Sequence, residues 1–312
     1  LAVTSCIDAM QAGCDVTLAV GAEVESNAPA SDGVEYMARA AHWELERDKE
    51  RFLFPWMFAR RAKAYKEAFG ATDRDIGRVV VKAYANAKDN PYAHMKAAPE
   101  ISLDAASAAN ESNHVFLEDP ELRPHIRFLD CTHFSDGASA VILATEEGLS
   151  RLGVDRADCT EILSYGHTTA ALGATTDPRR LTNMALAAKE AYADAALTPQ
   201  DLDIAEVHDC FSITELQLYE ALGLADEGQA PALLREGRTE RTGDLPVNPG
   251  GGLLAFGHPV GATGVKQVLE IWRQMKGRCG GYQVPGRPAH GITSNLGGDD
   301  RTGVVMLHRN LG

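Results

Sequence analysis

The chain has no run of eighteen apolar residues, so it carries no segment able to cross a membrane as a helix. Its first residues, Leu1-Ala-Val-Thr-Ser-Cys6, lack the basic stretch and apolar core of a secretory signal. The last three, Asn310-Leu-Gly312, are not a peroxisomal Ser-Lys-Leu address. Basic residues are in short supply: 30 Lys and Arg stand against 44 Asp and Glu, a net charge of −14 over 312 residues. A surface of that sign repels nucleic acid and anionic membrane, and both make poor partners. A phosphate-bearing substrate would need a local basic cluster, and the densest is Arg60, Arg61, Lys63 and Lys66. Cysteine is sparse, six residues with no CxxC pair, which argues against a zinc site or a disulfide scaffold. His208-x-Cys210 has no PCxxC after it, as a zinc deaminase would require. No metal is expected, and the cysteine usage fits a reducing, cytoplasmic compartment.

Phosphate-binding loops are missing too. The stretch Val247–Gly264 holds six glycines but no Gly-Lys-Ser/Thr, and its spacing is not GxGxxG. What it does hold is one ionisable side chain, His258. Glycine at this density lets backbone approach backbone or ligand closely, and the histidine can move protons near neutral pH. Val265, Val268, Leu269, Trp272 and Met275 then recur on one face of an amphipathic helix. The helix N-terminus next to the loop favours negative charge.

Hydrophobic periodicity outlines an α/β chain. A helix over residues 1–13 precedes a strand, Asp15–Gly21, expected to be buried among parallel neighbours. Residues 28–113 read as helices, including 57–69 and 73–88, forming either a functional lobe or a solvated cap. Next come an apolar strand ending at Ala144, a helix at 146–152, a strand at 157–165 and a helix at 181–196. The buried strand Ile204–Val207 leads into His208-Asp-Cys210-Phe. Ser212-x-x-Glu215 predicts a capping box at the start of the following helix. A strand at 289–293, a turn at Asn295–Asp300 and the strand Val304–His308 end the chain, and Ser135-Asp-Gly137 faintly echoes Gly298–Gly303.

Three places fall where α/β proteins house chemistry, at strand ends and helix starts: His208 with Cys210, His258, and the Asn295–Gly298 turn. Cys210, at the edge of a helix N-terminus, is expected to have a lowered thiol pKa. The other five cysteines read as small apolar residues. Carbon–carbon chemistry beside a thioester needs an acyl-carrying nucleophile, a proton shuttle and oxyanion donors, which thiols, imidazoles and backbone N–H groups supply.

The stretch Asn248-Pro-Gly-Gly through Gly257-His258-Pro-Val-Gly-Ala-Thr-Gly264 resembles the NPxGGxxxxGHPxGATG signature of the thiolase superfamily. Glu206-Val-His208-Asp-Cys210-Phe211 resembles the HDCF loop of the sterol-carrier-protein-2 type, and Asn295-Leu-Gly297 stands where other thiolases have Cys-x-Gly. The resemblance extends to Val81–Asn86 and Ser135-Asp-Gly137. It implies an α/β thiolase fold: two related halves in five α-β-α-β-α layers with an inserted, mainly helical lobe. The boundaries would be 1–27 and 114–154 for the N-terminal half, 28–113 for the lobe and 155–312 for the C-terminal half.

By the same resemblance Cys210 would move the α-proton, and His208 would stabilise the enolate oxygen. His258 would activate the nucleophile, and the Gly297 N–H, beside Asn295, would serve an oxyanion site. The implied reaction is cleavage of 3-oxoacyl-CoA by CoA, or condensation of acyl-CoA units, with CoA as substrate and no further cofactor. The implied assembly is a homodimer or tetramer. The family's nucleophilic cysteine aligns a few residues before Leu1, and Cys6 falls inside the helix instead. An upstream nucleophile is therefore expected. Two alternatives stay open. One is a retro-aldolase on steroid side-chain thioesters, working with a small OB-domain partner, in which Tyr219 and Tyr282 could be acid/base groups rather than packing residues. The other is a non-catalytic thiolase-fold subunit.

Overall fold

Two sheets carry the architecture. A computed structural model describes the backbone of residues 1–312 and every side chain except those of Ala30 and Ser31. The strands are β1 (Val16–Glu23), β2 (Gly137–Ala144), β3 (Thr160–Thr169), β4 (Ile204–Glu206), β5 (His290–Gly297) and β6 (Thr302–Asn310). β1 and β2 form an antiparallel pair in which Leu18 faces Ile142. The larger sheet has the order β3-β6-β5-β4, with only β4 and β5 parallel among the described residues.

The helices Ala2–Gln11 and Thr263–Met275 lie between the two sheets. Val3 and Cys6 of the first, Val265 and Val268 of the second, Ala19 of β1, and Val304 and Met306 of β6 share one buried cluster. On the far side of the larger sheet the helix Thr182–Ala195 buries Met184, Ala187, Ala188 and Ala191. Helices, sheet, helices and sheet thus make four of the five expected layers among the described residues. The outer face of β1–β2 stays open, with Leu18 59% and Ile142 64% exposed. Two expectations for the first strand need correction. Its neighbour is antiparallel, and its side chains alternate between the middle helices and the open face, so it is half-buried.

The 28–113 segment is not a solvated cap. Its helices Leu53–Phe69 and Asp73–Ala87 bury Met57, Phe58, Tyr65, Val79 and Val80 in the same core as Leu216, Ile292 and Leu307. The Asp73–Ala87 helix begins with a capping box between Thr72 and Asp75. The box expected at Ser212 and Glu215 does not form. Phe211 is the N-cap residue and makes no side-chain cap bond. Ser212 Oγ donates to Asp130 Oδ1 at 2.7 Å, and Glu215 takes the Lys82 ammonium at 2.6 Å. Both groups of that ion pair are buried, and a buried charge needs its counter-charge more than a helix end needs one cap. Asn295–Gly297 likewise lies in β5 rather than in the turn, which begins at Gly298. No helix is long and apolar enough to cross a membrane.

Candidate active site

The site is made where the end of β4 meets the glycine loop. Val207 N–H donates to Asn248 Oδ1 at 2.8 Å, and Asn248 adopts a positive φ of 52° to reach it. Asp209, wholly buried, accepts from Leu253 N–H at 2.6 Å and Leu254 N–H at 3.4 Å. Those bonds hold the His208–Cys210 segment against the loop. Gly252 permits the contact, since a Cβ there would sit 2.1 Å from Asp209 Oδ2. The His258 end is fixed from two sides. Its N–H donates to Ser135 Oγ at 3.1 Å, and β1 approaches so closely that a Cβ on Gly21 would stand 2.1 Å from Gly261 O.

This arrangement sets the imidazoles of His208 and His258 5.0 Å apart, centroid to centroid, with planes at 89°. Both rings are buried. Burial, with the neighbouring His258 adding to it, drives His208 well below the ordinary imidazole range. Burial, then the Lys266 charge, lowers His258 to about 4. Both are therefore neutral at pH 7. His258 Nδ1 lies 2.7 Å from Thr263 Oγ1, whose hydroxyl is placed to donate to Pro259 O at 3.1 Å. His208 Nδ1 lies 3.1 Å from Asn295 Nδ2, which also donates to Gln267 Oε1 at 3.0 Å. Among the described residues no hydrogen bond engages Nε2 of either histidine.

Cys210 is 8% exposed, with Sγ 3.9 Å from Thr214 Oγ1. Burial pushes its thiol up to about 12, against the lowering expected of a helix start. Loss of hydration outweighs the helix dipole here, so the group is a thiol at neutral pH. Cys131 approaches it across a β-bridge to Phe211, with Thr132 N–H donating to Cys210 O at 3.1 Å. Gly297 is at the exposed end of β5, two residues beyond Asn295. A cavity of about 290 Å³ adjoins the His258 loop, lined by His94, Phe256, Gly257, Thr263 and Lys266 among others. Neither that cavity nor a larger groove of about 1440 Å³, between β2, β3 and Trp272, is lined by His208 or His258.

The residues of the basic cluster are engaged in ion pairs within the fold. Arg61 is fully buried and bonds Asp299 at 2.5 Å, with Arg60 on the same carboxylate at 2.9 Å. Lys63 pairs with Glu121 at 2.5 Å and Lys66 with Asp73 at 2.8 Å. Each of the four has a carboxylate partner, although Arg60 and Arg61 share that of Asp299. Tyr219 and Tyr282 are buried, and the Tyr219 hydroxyl lies between Glu215 and Lys82. Sequence reasoning missed Gln267. Lys266, Gln267 and Glu270 are polar residues of the same helix, yet the helix is covered on both sides and all three are buried. Polar residues confined to a layer between two sheets were the available signal.

The family model described as Thiolase C-terminal domain-like matches residues 164–309. Acetyl-CoA acetyltransferase of Methanothermobacter thermautotrophicus is 35% identical over 310 residues, covering 98% of this chain and 76% of its own. Sterol carrier protein 2 of Homo sapiens is 35% identical over 249 residues, 78% of this chain, which spans 43% of that longer protein. Among solved structures the Ltp2–ChsH2 aldolase superposes with a TM-score of 0.80 at 23% identity, covering 99% of this chain and 76% of that one. Solved thiolase structures also align over 99% of the chain, so the fold is the thiolase fold. With its HDCF loop, its GHPxGATG loop and these relatives, the chain belongs to the thiolase superfamily, on its sterol-carrier-protein-2 side.

Proposed function

We propose that the protein transfers acyl groups between thioesters of coenzyme A, cleaving a 3-oxoacyl chain with CoA or running the same steps in reverse. The observation that carries this reading is the edge-to-face pair of neutral imidazoles, His208 and His258, with the Cys210 thiol two residues from one of them. In thiolysis a cysteine thiolate attacks the 3-oxo carbon. The bond between C2 and C3 then breaks, leaving an acyl-enzyme and a thioester enolate. Cys210 Sγ–H protonates C2 of that enolate while His208 donates to its oxygen. Incoming CoA gives its thiol proton back to the Cys210 thiolate. Its sulfur displaces the acyl group from the cysteine, which leaves as the thiolate whose proton His258 Nε2 holds. Thr263 Oγ1 can accept from His258 Nδ1–H while its own hydroxyl donates a hydrogen bond to Pro259 O, which leaves Nε2 free as the base. Gly297 N–H, at the end of β5, is assigned to the second oxyanion site.

This reading assigns the acyl-carrying role to none of the six cysteines of residues 1–312. Cys6 is packed inside a helix, Cys131 lies beside Cys210 with its thiol pushed well above the ordinary range by burial, and Cys14, Cys159 and Cys279 belong to other parts of the fold. Coenzyme A enters as substrate and the working assembly is an oligomer. Incubating the full-length protein with 3-oxoacyl-CoA and CoA tests the reading: two acyl-CoA products support it, and no CoA-dependent cleavage at any chain length sinks it.

Retro-aldol cleavage is the second reading. The superposition with the Ltp2–ChsH2 aldolase favours it, and a small partner protein would accompany it. Release of a ketone from a hydroxyacyl thioester, without free CoA, would put it first. The tyrosines weigh against it, since burial and neighbouring carboxylates push Tyr219 far above its ordinary range.

A further inference from the structure

A buried amide relay reaches His208 from behind. Gln267 is wholly buried, and its Nε2 donates to Ser294 O at 3.0 Å and to Glu206 O at 3.4 Å. Backbone carbonyls can only accept, so they fix which end of the Gln267 amide faces them. The other end, Oε1, is then turned toward Asn295. An acceptor there requires a donor opposite, and Asn295 Nδ2 supplies it at 3.0 Å. Rotating the Asn295 amide would set Oδ1 against Oε1, two acceptors with no proton between them. Rotating Gln267 would set Oε1 against two carbonyls. Only one orientation of each amide satisfies its neighbours.

The consequence falls on the histidine. The second hydrogen of Asn295 Nδ2 points at His208 Nδ1, 3.1 Å away. A ring nitrogen facing a donor must be unprotonated, so the single proton of the neutral ring sits on Nε2. We infer that Gln267 is a positioning residue that, through Asn295, holds His208 in the Nε2–H tautomer and so makes it a hydrogen-bond donor toward the substrate. His208 then offers a proton at the atom that no protein group engages. Ser294 and Asn295 are adjacent on β5, and Glu206 ends β4. The relay is therefore anchored on the parallel strand pair that also carries His208. The effect on rate rests on the acyl-transfer reading, whereas the tautomer does not.

The experiment is a long-range proton–nitrogen correlation on the full-length protein with ¹⁵N-labelled histidine. His208 is assigned by its loss in His208→Gln. The wild type is expected to show one neutral tautomer at His208, protonated at Nε2. In Asn295→Asp, an isosteric change that puts an acceptor at Nδ1, the proton should move to Nδ1. Gln267→Met, which removes the fixed acceptor, should give a mixture of tautomers. It should also lower kcat for thiolysis by about 10²-fold with KM little changed, within the range of a general acid–base contribution. An Nδ1–H tautomer in the wild type overturns the inference, as does a pure Nε2–H tautomer in folded Gln267→Met. If Gln267→Met does not fold, the wild type and Asn295→Asp decide. The inferred tautomers without any thiolysis would instead refute the acyl-transfer reading and leave the relay standing.

Discussion

His208 and His258 meet edge to face with their ring centroids 5.0 Å apart, although fifty residues separate them in the chain. Asp209 brings them together. Its carboxylate holds Leu253 and Leu254 of the glycine loop, so the strand that delivers His208 and the loop that delivers His258 move as one body. That relationship yields the first expectations.

Cys210→Ala should abolish proton exchange at the α-carbon of an acyl-CoA, lowering it by about 10²–10⁴. Among the described residues the thiol makes one hydrogen bond, a long one to Thr214, and alanine keeps an apolar side chain in the core, so the fold should persist. Deuterium uptake from heavy water, read by mass spectrometry, measures this. Near-normal uptake in the variant would move the proton shuttle to another residue.

The pH profile follows from burial. His258 must be unprotonated to act as a base, and burial lowers it to about 4. Activity should thus be lost only as pH falls toward 4. Cys210, raised to about 12 by burial, keeps its proton throughout the neutral range. The plot of kcat/KM against pH should be flat from about 5.5 to 9 as far as these groups decide it. An acid limb with its midpoint at the ordinary imidazole value, about 6.5, would contradict the burial argument.

How much of this could be read from the sequence varied with how local the cause was. The two loops are runs of adjacent residues, so both stretches could be read directly, and the structure brings His208 and His258 of the two together. The helices Asp73–Ala87 and Thr263–Met275 were legible too, because their apolar periodicity is strong. What failed depended on partners far along the chain. Arg60 and Arg61 looked like a free basic patch because Asp299 is more than 230 residues away. Glu215 looked like a cap because Lys82 was not visible as its partner. Cys210 was given a lowered pKa from its helix end, and only packing shows that desolvation is larger. Gln267 was missed because it lies among polar residues of a helix that the second sheet covers.

Arg61 now serves a different expectation from substrate binding. Its guanidinium and the Asp299 carboxylate are both buried. Removing one partner of such a pair costs roughly 3–5 kcal/mol, because the other charge stays buried. Arg61→Met should lower the unfolding free energy, measured by denaturant titration, by up to about that amount, softened by Arg60 on the same carboxylate. A loss below about 1 kcal/mol, with a raised KM for CoA, would restore the phosphate-binding role.

Gly21→Ala probes the contact behind His258. The new Cβ would stand 2.1 Å from Gly261 O, a backbone atom that can yield only by shifting the loop. The variant should lose most activity, and crystal or solution data should show the 257–262 segment displaced. Full activity in Gly21→Ala would mean that β1 does not position the loop.

The most direct test of the central claim is product analysis on the full-length protein given a 3-oxoacyl-CoA with and without free CoA. The account predicts two acyl-CoA products that appear only when CoA is present, at a rate cut by His258→Ala. A ketone formed without CoA from a hydroxyacyl thioester, or no turnover of either substrate, would contradict it.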